Sequence, residues 1–244
     1  MDNFDDILNQ LKDSSGGLKE NLHVLEEIVP IEEQMHYFEY SKRIRGENDS
    51  VDRNYLVAML FTPEIAVEEK RYCLSMLASL IDIGAYRAIE TYHSSPLEPE
   101  LAHWSALALI ESQLLIDSDL SGEKQFLIST GLGGSNGKLR FFVVIATRSR
   151  EDFTKLQQEI INRELNFQFD KDEHLVIEEY SFSGNHLKIL LLSDLKVNIK
   201  DIFENGITEC NQFGNFIDDK FLLTNVKQFS EEEIKMLLDR HKKA

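Results

Sequence analysis

The sequence predicts two domains, an all-α half built of helical hairpins followed by an α+β half, and three observations predict it. The spacing of apolar residues changes from a helical period to short β-rich runs near the middle of the chain. All four prolines (Pro30, Pro63, Pro96, Pro99) precede residue 101, whereas twelve of the fifteen phenylalanines follow residue 120. Charge divides at the same place: residues 1–120 hold 9 Lys/Arg against 23 Asp/Glu, or −14, and residues 121–244 hold 17 against 20, or −3. The expected division is therefore 1–120 and 121–244, with the boundary near Leu120 to Lys124. A chain of 244 residues can bury a sizeable core without disulfide or metal staples.

In the first half, Phe4, Ile7, Leu8 and Leu11 fall along one face of a short helix over 4–12, which Ser14-Ser-Gly-Gly17 ends. Leu18 to Val29 and Ile31 to Arg45 are expected as two further helices separated by Pro30, followed by the polar loop Arg45 to Ser50. Helix resumes over Tyr55 to Phe61, and Pro63 marks the next start. In Glu68 to Ile81, Cys73, Leu77, Leu80 and Ile81 share a face, and Gly84 suits the residue just past a helix end, where a left-handed backbone is cheap only for glycine. A short helix is expected over Ala85 to Tyr92, and Pro99 suits the first turn of a helix that reaches Ile116, where its missing N–H costs nothing.

The second half reads differently. Gln125 to Thr130 is expected as a strand, Gly131 to Gly137 as a glycine-rich connection, and Leu139 to Thr147 as a strand apolar on both faces, hence central in its sheet. Ser149 and Asp152 offer a capping-box-like start for a helix to Arg163, with Phe153, Leu156, Ile160 and Ile161 as its buried stripe. His174 to Phe182 and His186 to Leu192 form a hairpin turned by Ser183-Gly-Asn185. Asn198 caps a helix to Cys210, Lys220 to Val226 is a strand, and Ser230 with Glu233 caps a final helix whose face is Ile234, Leu237 and Leu238.

Glu68, Tyr72 and Leu77 recur 32 residues later as Glu100, Trp104 and Leu109. A repeat near that period marks stacked helical hairpins, each with an apolar face that only a neighbour can bury. Tyr72-Cys-Leu-Ser-Met-Leu-Ala-Ser-Leu, the break at Gly84, the helix Ala85 to Tyr92 and Trp104-Ser-Ala-Leu-Ala-Leu-Ile resemble HEAT-type repeats over residues 50–118. The spacing is shorter than the usual HEAT length of about 40. The resemblance implies a scaffold or protein-binding surface and carries no catalytic residue. The second half, in the order β, β-α-β-β-α-β, α, resembles a ferredoxin-like sandwich with an extra leading strand, a fold that hosts many unrelated functions.

Catalytic signatures are weak. Gly131-Leu-Gly-Gly-Ser-Asn-Gly137-Lys138 fails as a phosphate loop, because Leu132 stands five before Gly137, Leu139 follows the lysine and a strand follows instead of a helix. It fails as a dinucleotide fingerprint because Asn136 takes the place of the third glycine. Asn136-Gly137 between two β runs signals a hairpin, with Gly133, Gly134, Ser135 and Asn136 as the candidate ligand loop if the segment binds anything. Four histidines follow a glutamate by three (Glu20/His23, Glu33/His36, Glu90/His93, Glu100/His103), the spacing that di-iron bundles use, but stacked hairpins scatter such pairs over separate surfaces. No Gly-x-Ser-x-Gly elbow exists, and neither Cys73 nor Cys210 has a local His or Asp setting. Lys42-Arg43-Ile44-Arg45 fits a helix C-terminus, which favours cations. Trp104 is a core residue unless exposed, in which case it is the natural anchor for a partner.

These observations lead to the expectation of a non-enzymatic cytoplasmic interaction protein, without cofactor or metal. The chain starts acidic with no signal-peptide pattern, its longest apolar runs fall short of the ~20 residues of a membrane helix, and two cysteines suit a reducing compartment. The acidic half is expected to bind a protein partner, a basic one by charge, with self-association as a further possibility; its negative field disfavours nucleic acid. A small-molecule-sensing module in the α+β half and a helical Glu/His metalloenzyme are the alternatives.

Overall fold

The structure is a computed structural model that describes residues 21–45, 52–171 and 174–240. The expected helix over 4–12 and most of the loop over 45–50 lie outside the described residues. The chain divides into two compact units, Met1–Thr130 and Gly131–Ala244.

In the first unit, β1 (Leu22–Val24) is followed by α1 (Ile31–Arg45), α2 (Arg53–Leu60), α3 (Val67–Ala78) and α4 (Ile83–Ser94). A 3₁₀ turn at Pro99–Leu101 leads into α5 (Ala102–Ser121), and β2 (Phe126–Ile128) closes the unit. In the segment expected as a helix over Leu18 to Val29, Leu22–Val24 is instead a strand, paired in parallel with β2, Leu22 opposite Phe126 and Val24 opposite Ile128, and the rest of its described residues are irregular. A partner about a hundred residues away decides this segment, and periodicity cannot register such a partner. The same pairing places β2 in the first unit and not at the head of the second unit's sheet.

α3 and α5 carry the centre of this core: Leu74, Leu77 and Leu107 are fully buried, joined by Tyr37, Ile89 and Tyr92. Gly84 does not end a helix. It lies in the first turn of α4, where Asp82 caps Ala85 N at 2.8 Å, and an added Cβ there would stand 2.5 Å from Arg53 Nη1, which itself bonds Asp82 at 3.0 Å. Two charges are buried with partners, as low-dielectric burial demands. Glu111 accepts hydrogen bonds from Tyr37 (2.6 Å), Ser41 (2.9 Å) and Arg45, while Lys70, with no exposed side-chain surface, pairs with Glu98.

The second unit contains β3 (Gly134–Ser135), β4 (Lys138–Ala146), α6 (Lys155–Phe169), β5 (Leu175–Ser183), β6 (His186–Ser193), α7 (Ile199–Asn211), β7 (Leu222–Thr224) and α8 (Glu231–Arg240). Its sheet is antiparallel in the order β7-β4-β6-β5, with β3 beside the start of β4. Alternation along β4 explains why it is apolar throughout: Val143 and Ile145 join the α6–α7 core, while Phe142 and Val144 meet Ile234 of α8 on the other face. Asn136 (φ 51) and Gly137 (φ 75) make the β3–β4 turn, both left-handed as a tight hairpin requires. α6 starts later than expected. Thr154 accepts from Gln157 N at 3.3 Å and Gln157 Oε1 accepts from Thr154 N at 2.9 Å, so the helix is capped there and runs on to Phe169. With that start, Leu156 turns outward at 66% exposure, and Ile161 and Leu165 carry the buried stripe with Ile160.

The fold is thus mixed α and β, with eight α-helices among the described residues and a mainly antiparallel sheet. None of the described helices is long and apolar enough to cross a membrane.

Candidate functional site

In the second unit, the β5–β6 hairpin turns at Gly184 (φ 57) and delivers His186 and Lys188 onto β6. Side chains two apart on a strand share a face. Leu187, Ile189 and Leu191 enter the α6–α7 core, so His186 and Lys188 point to the face that α8 covers. α8 is started by a reciprocal cap: Ser230 Oγ accepts from Glu233 N at 3.3 Å, and Glu233 Oε2 accepts from Ser230 N at 2.9 Å. That cap sets Glu231 in the first turn, directly over β6. Its carboxylate accepts from Lys188 Nζ and from Ser183 Oγ (3.3 Å), and its Oε2 stands 3.0 Å from His186 Nε2.

Of these groups, His186 and Glu231 border a cleft of about 480 Å³ that Arg150, Asp152, Asn185, Lys235 and Asp239 also line. Arg150 has φ 66, a strained conformation for a non-glycine residue, and its guanidinium is ion-paired to Asp218 at 2.8 Å. Lys235 makes no ion pair among the described residues and is exposed at the cleft. An adjoining apolar niche under α8 holds only about 30 Å³, room for about one water.

His186 is the centre of the site. Its side chain is 8% exposed. Burial holds its pKa below the usual 6.5, the Lys188 ammonium pushes the same way, and the Glu231 carboxylate opposes both. The ring is therefore uncharged at neutral pH. Its Nδ1 meets Asn185 Oδ1 at 3.1 Å. Its Nε2 is close to Glu231 Oε2 but off the line a hydrogen bond needs, and so is buried without one. Glu231 is held below the ordinary carboxylate range, chiefly by the Lys188 hydrogen bond. A neutral imidazole with an unbonded nitrogen, beside two ammonium groups and a guanidinium, can exchange a proton with a bound ligand while the cations hold anionic oxygens.

The sequence-derived candidates lie elsewhere. Gly133, Gly134, Ser135 and Asn136 form a tight hairpin at the start of β4, where Gly134 pairs with Leu139, while His186 pairs with Ala146 at the other end. The strand between them spans roughly 25 Å. Trp104 is 6% exposed, donates to Ser75 Oγ at 3.0 Å and packs edge-on against His36, Tyr37 and Tyr40, so it is a core residue. Three of the four histidines of the Glu-x-x-His pattern pair across elements, His93 with Glu27 (3.2 Å), His103 with Glu33 (2.8 Å) and His23 with Asp117 (3.9 Å), while His36 packs on Trp104. Among the described residues no three His, Cys, Asp or Glu side chains converge for a metal. Burial raises the thiols of Cys73 and Cys210 to about 11 and about 12, leaving both inert as nucleophiles at neutral pH. Sequence reasoning missed His186, Lys188 and Glu231. The signal available was His-x-Lys beginning a strand and a glutamate inside a capping box, and neither motif indicates that the two meet.

No family model matches the chain, and no curated protein does. Among solved structures it is similar to a protein of Deinococcus radiodurans R1 described as a candidate transposase, with 11% identity and a TM-score of 0.34, over 42% of this chain and 90% of that one. It is also similar to a REP-associated tyrosine transposase bound to a REP hairpin, with 9% identity and a TM-score of 0.33, over 42% of this chain and 63% of that one. Likeness at this level transfers no residue role. Both are described as transposases, and one was solved bound to a REP hairpin. The expectation of a non-enzymatic scaffold with a protein partner and no nucleic acid is therefore corrected. The charge reasoning behind it was at fault in its reach: the −14 belongs to residues 1–120, and the cleft lies in the half that carries −3.

Proposed function

We propose that the second unit is an enzymatic domain that binds a phosphate-bearing substrate, nucleic acid foremost, in the cleft beside His186 and moves a proton through that ring. The observation that carries the reading is the buried imidazole whose Nε2 has no hydrogen bond and borders a polar cleft. Lys188, Lys235 and Arg150 supply the cations that phosphate oxygens need. The ring supplies the proton acceptor for a hydroxyl or water. We also read the two units as two domains. The strand order β7-β4-β6-β5, with α6 and α7 packed on one face, supports a ferredoxin-like sandwich, and the packed helices α3, α4 and α5 support HEAT-like hairpins.

The test is fluorescence anisotropy of the full chain with labelled single-stranded and hairpin oligonucleotides, followed by gel analysis of products. Binding that weakens with salt and with Lys235→Ala is expected, with His186→Ala retaining binding and losing turnover. Absence of binding at low salt, or turnover by His186→Ala at the wild-type rate, would defeat the reading.

A further inference from the structure

The groups that hold Glu231 form a seat for an oxoanion, and the fit between the carboxylate and that seat is imperfect. Lys188 Nζ, Ser183 Oγ and the N-terminal end of α8 converge on it, the arrangement that favours an anion at a helix start. His186 does not complete the set. Asn185 Nδ2 donates to Arg150 O at 3.3 Å, which turns its Oδ1 to His186 Nδ1 and keeps the ring proton on Nδ1. Nε2 then stands 3.0 Å from Glu231 Oε2 but out of line with it, an unbonded acceptor beside a carboxylate, with the ring more than nine-tenths buried. Glu231 is the one member free to leave, since its side chain is 52% exposed.

Resting on the reading that the cleft takes a phosphate-bearing ligand, we propose that Glu231 is an intramolecular occupant of the ligand's seat, and that the ligand displacing it carries an oxoanion beside a hydroxyl. The oxoanion takes the place of the carboxylate on Lys188 and Ser183. The hydroxyl gives Nε2 the hydrogen it lacks. Lys235, one turn beyond Glu231 on the same face of α8, closes over the anion. Hydrogen phosphate, with P–O⁻ and P–OH on one centre, is the smallest phosphate species that meets both demands, and a nucleotide chain end is the larger one. The fold thereby holds its own site closed until a ligand of this class competes with the carboxylate.

Inorganic phosphate is the probe, titrated into the full chain with calorimetry and with NMR of the histidine ring nitrogens. Removing the competing carboxylate in Glu231→Gln, which keeps the side chain's size, or in Glu231→Ala should tighten phosphate binding about tenfold or more. Lys188→Met in the Glu231→Gln background should abolish it. Thermal melting of each variant identifies any that fail to fold, and the isosteric Gln variant preserves the test if Ala does not. Phosphate binding no tighter in a folded Glu231→Gln than in the wild type overturns the inference. If oligonucleotides still bind at the cleft in that case, the proposed function stands without the occupant. If neither phosphate nor oligonucleotide binds any folded variant, both fall.

Discussion

Asn185 Oδ1 lies 3.1 Å from His186 Nδ1, and a ring proton on Nδ1 donates to it and leaves Nε2 as the base at the cleft. The hairpin turn that carries Asn185 therefore sets the chemistry of a residue on the strand beside it.

The ring should titrate below 6.5, and Lys188→Met should raise its pKa by removing a neighbouring positive charge. Because the folded value is depressed, the unfolded chain binds more protons. The contribution to stability is full above about 6.5 and is lost as pH falls through the folded value. Histidine-resolved NMR against pH checks the pKa, and a wild-type ring with its proton on Nε2 would contradict the tautomer assigned.

Glu27 should behave as a pH-dependent fastener of the first unit. Its pKa lies below 4.5, with the His93 hydrogen bond as the largest cause, so its contribution is present above 4.5 and is lost as pH falls through the lowered value. Melting temperatures of the wild type and Glu27→Gln should converge as the solution is acidified. Parallel curves throughout would show that the contact adds nothing.

How much was legible beforehand follows from how local each determinant is. The helix Ile31–Arg45, the Asn136-Gly137 turn and the Ser230/Glu233 cap depend on neighbours within a few residues, and the sequence shows them. β1 depends on β2, and the cleft depends on α8 folding back over β6, so neither is visible in any window of sequence. Net charge misled for a related reason: it averages over a half-chain, whereas Arg150 and Lys235 line one cleft and Lys188 lies beside it on Glu231. Trp104 shows the converse, a conspicuous residue whose surroundings make it structural.

Tyr37→Phe should destabilise the protein by about 1–3 kcal/mol, because it removes a donor from a buried carboxylate. Urea unfolding measures this. Glu111 retains Ser41 and Arg45, so the loss stops short of what an unpaired buried charge would cost.

Gly206→Ala should cost about 1–3 kcal/mol through overpacking, since the added Cβ would stand 2.6 Å from Leu165 Cδ2 where α6 and α7 approach. The double variant with Leu165→Ala should cost less than the sum of the two single losses, because the removed methyl groups make room for the new Cβ. An unchanged midpoint for the single variant would mean that the two helices separate at little cost.

The most direct measurement of the central claim is an NMR titration of the ¹⁵N-histidine-labelled full chain with a short single-stranded oligonucleotide at low salt. A saturable shift at His186, with His23, His93 and His103 unmoved, is the predicted result. If His186 stays fixed while the oligonucleotide binds, or if no histidine responds at any concentration, the cleft is not the substrate site.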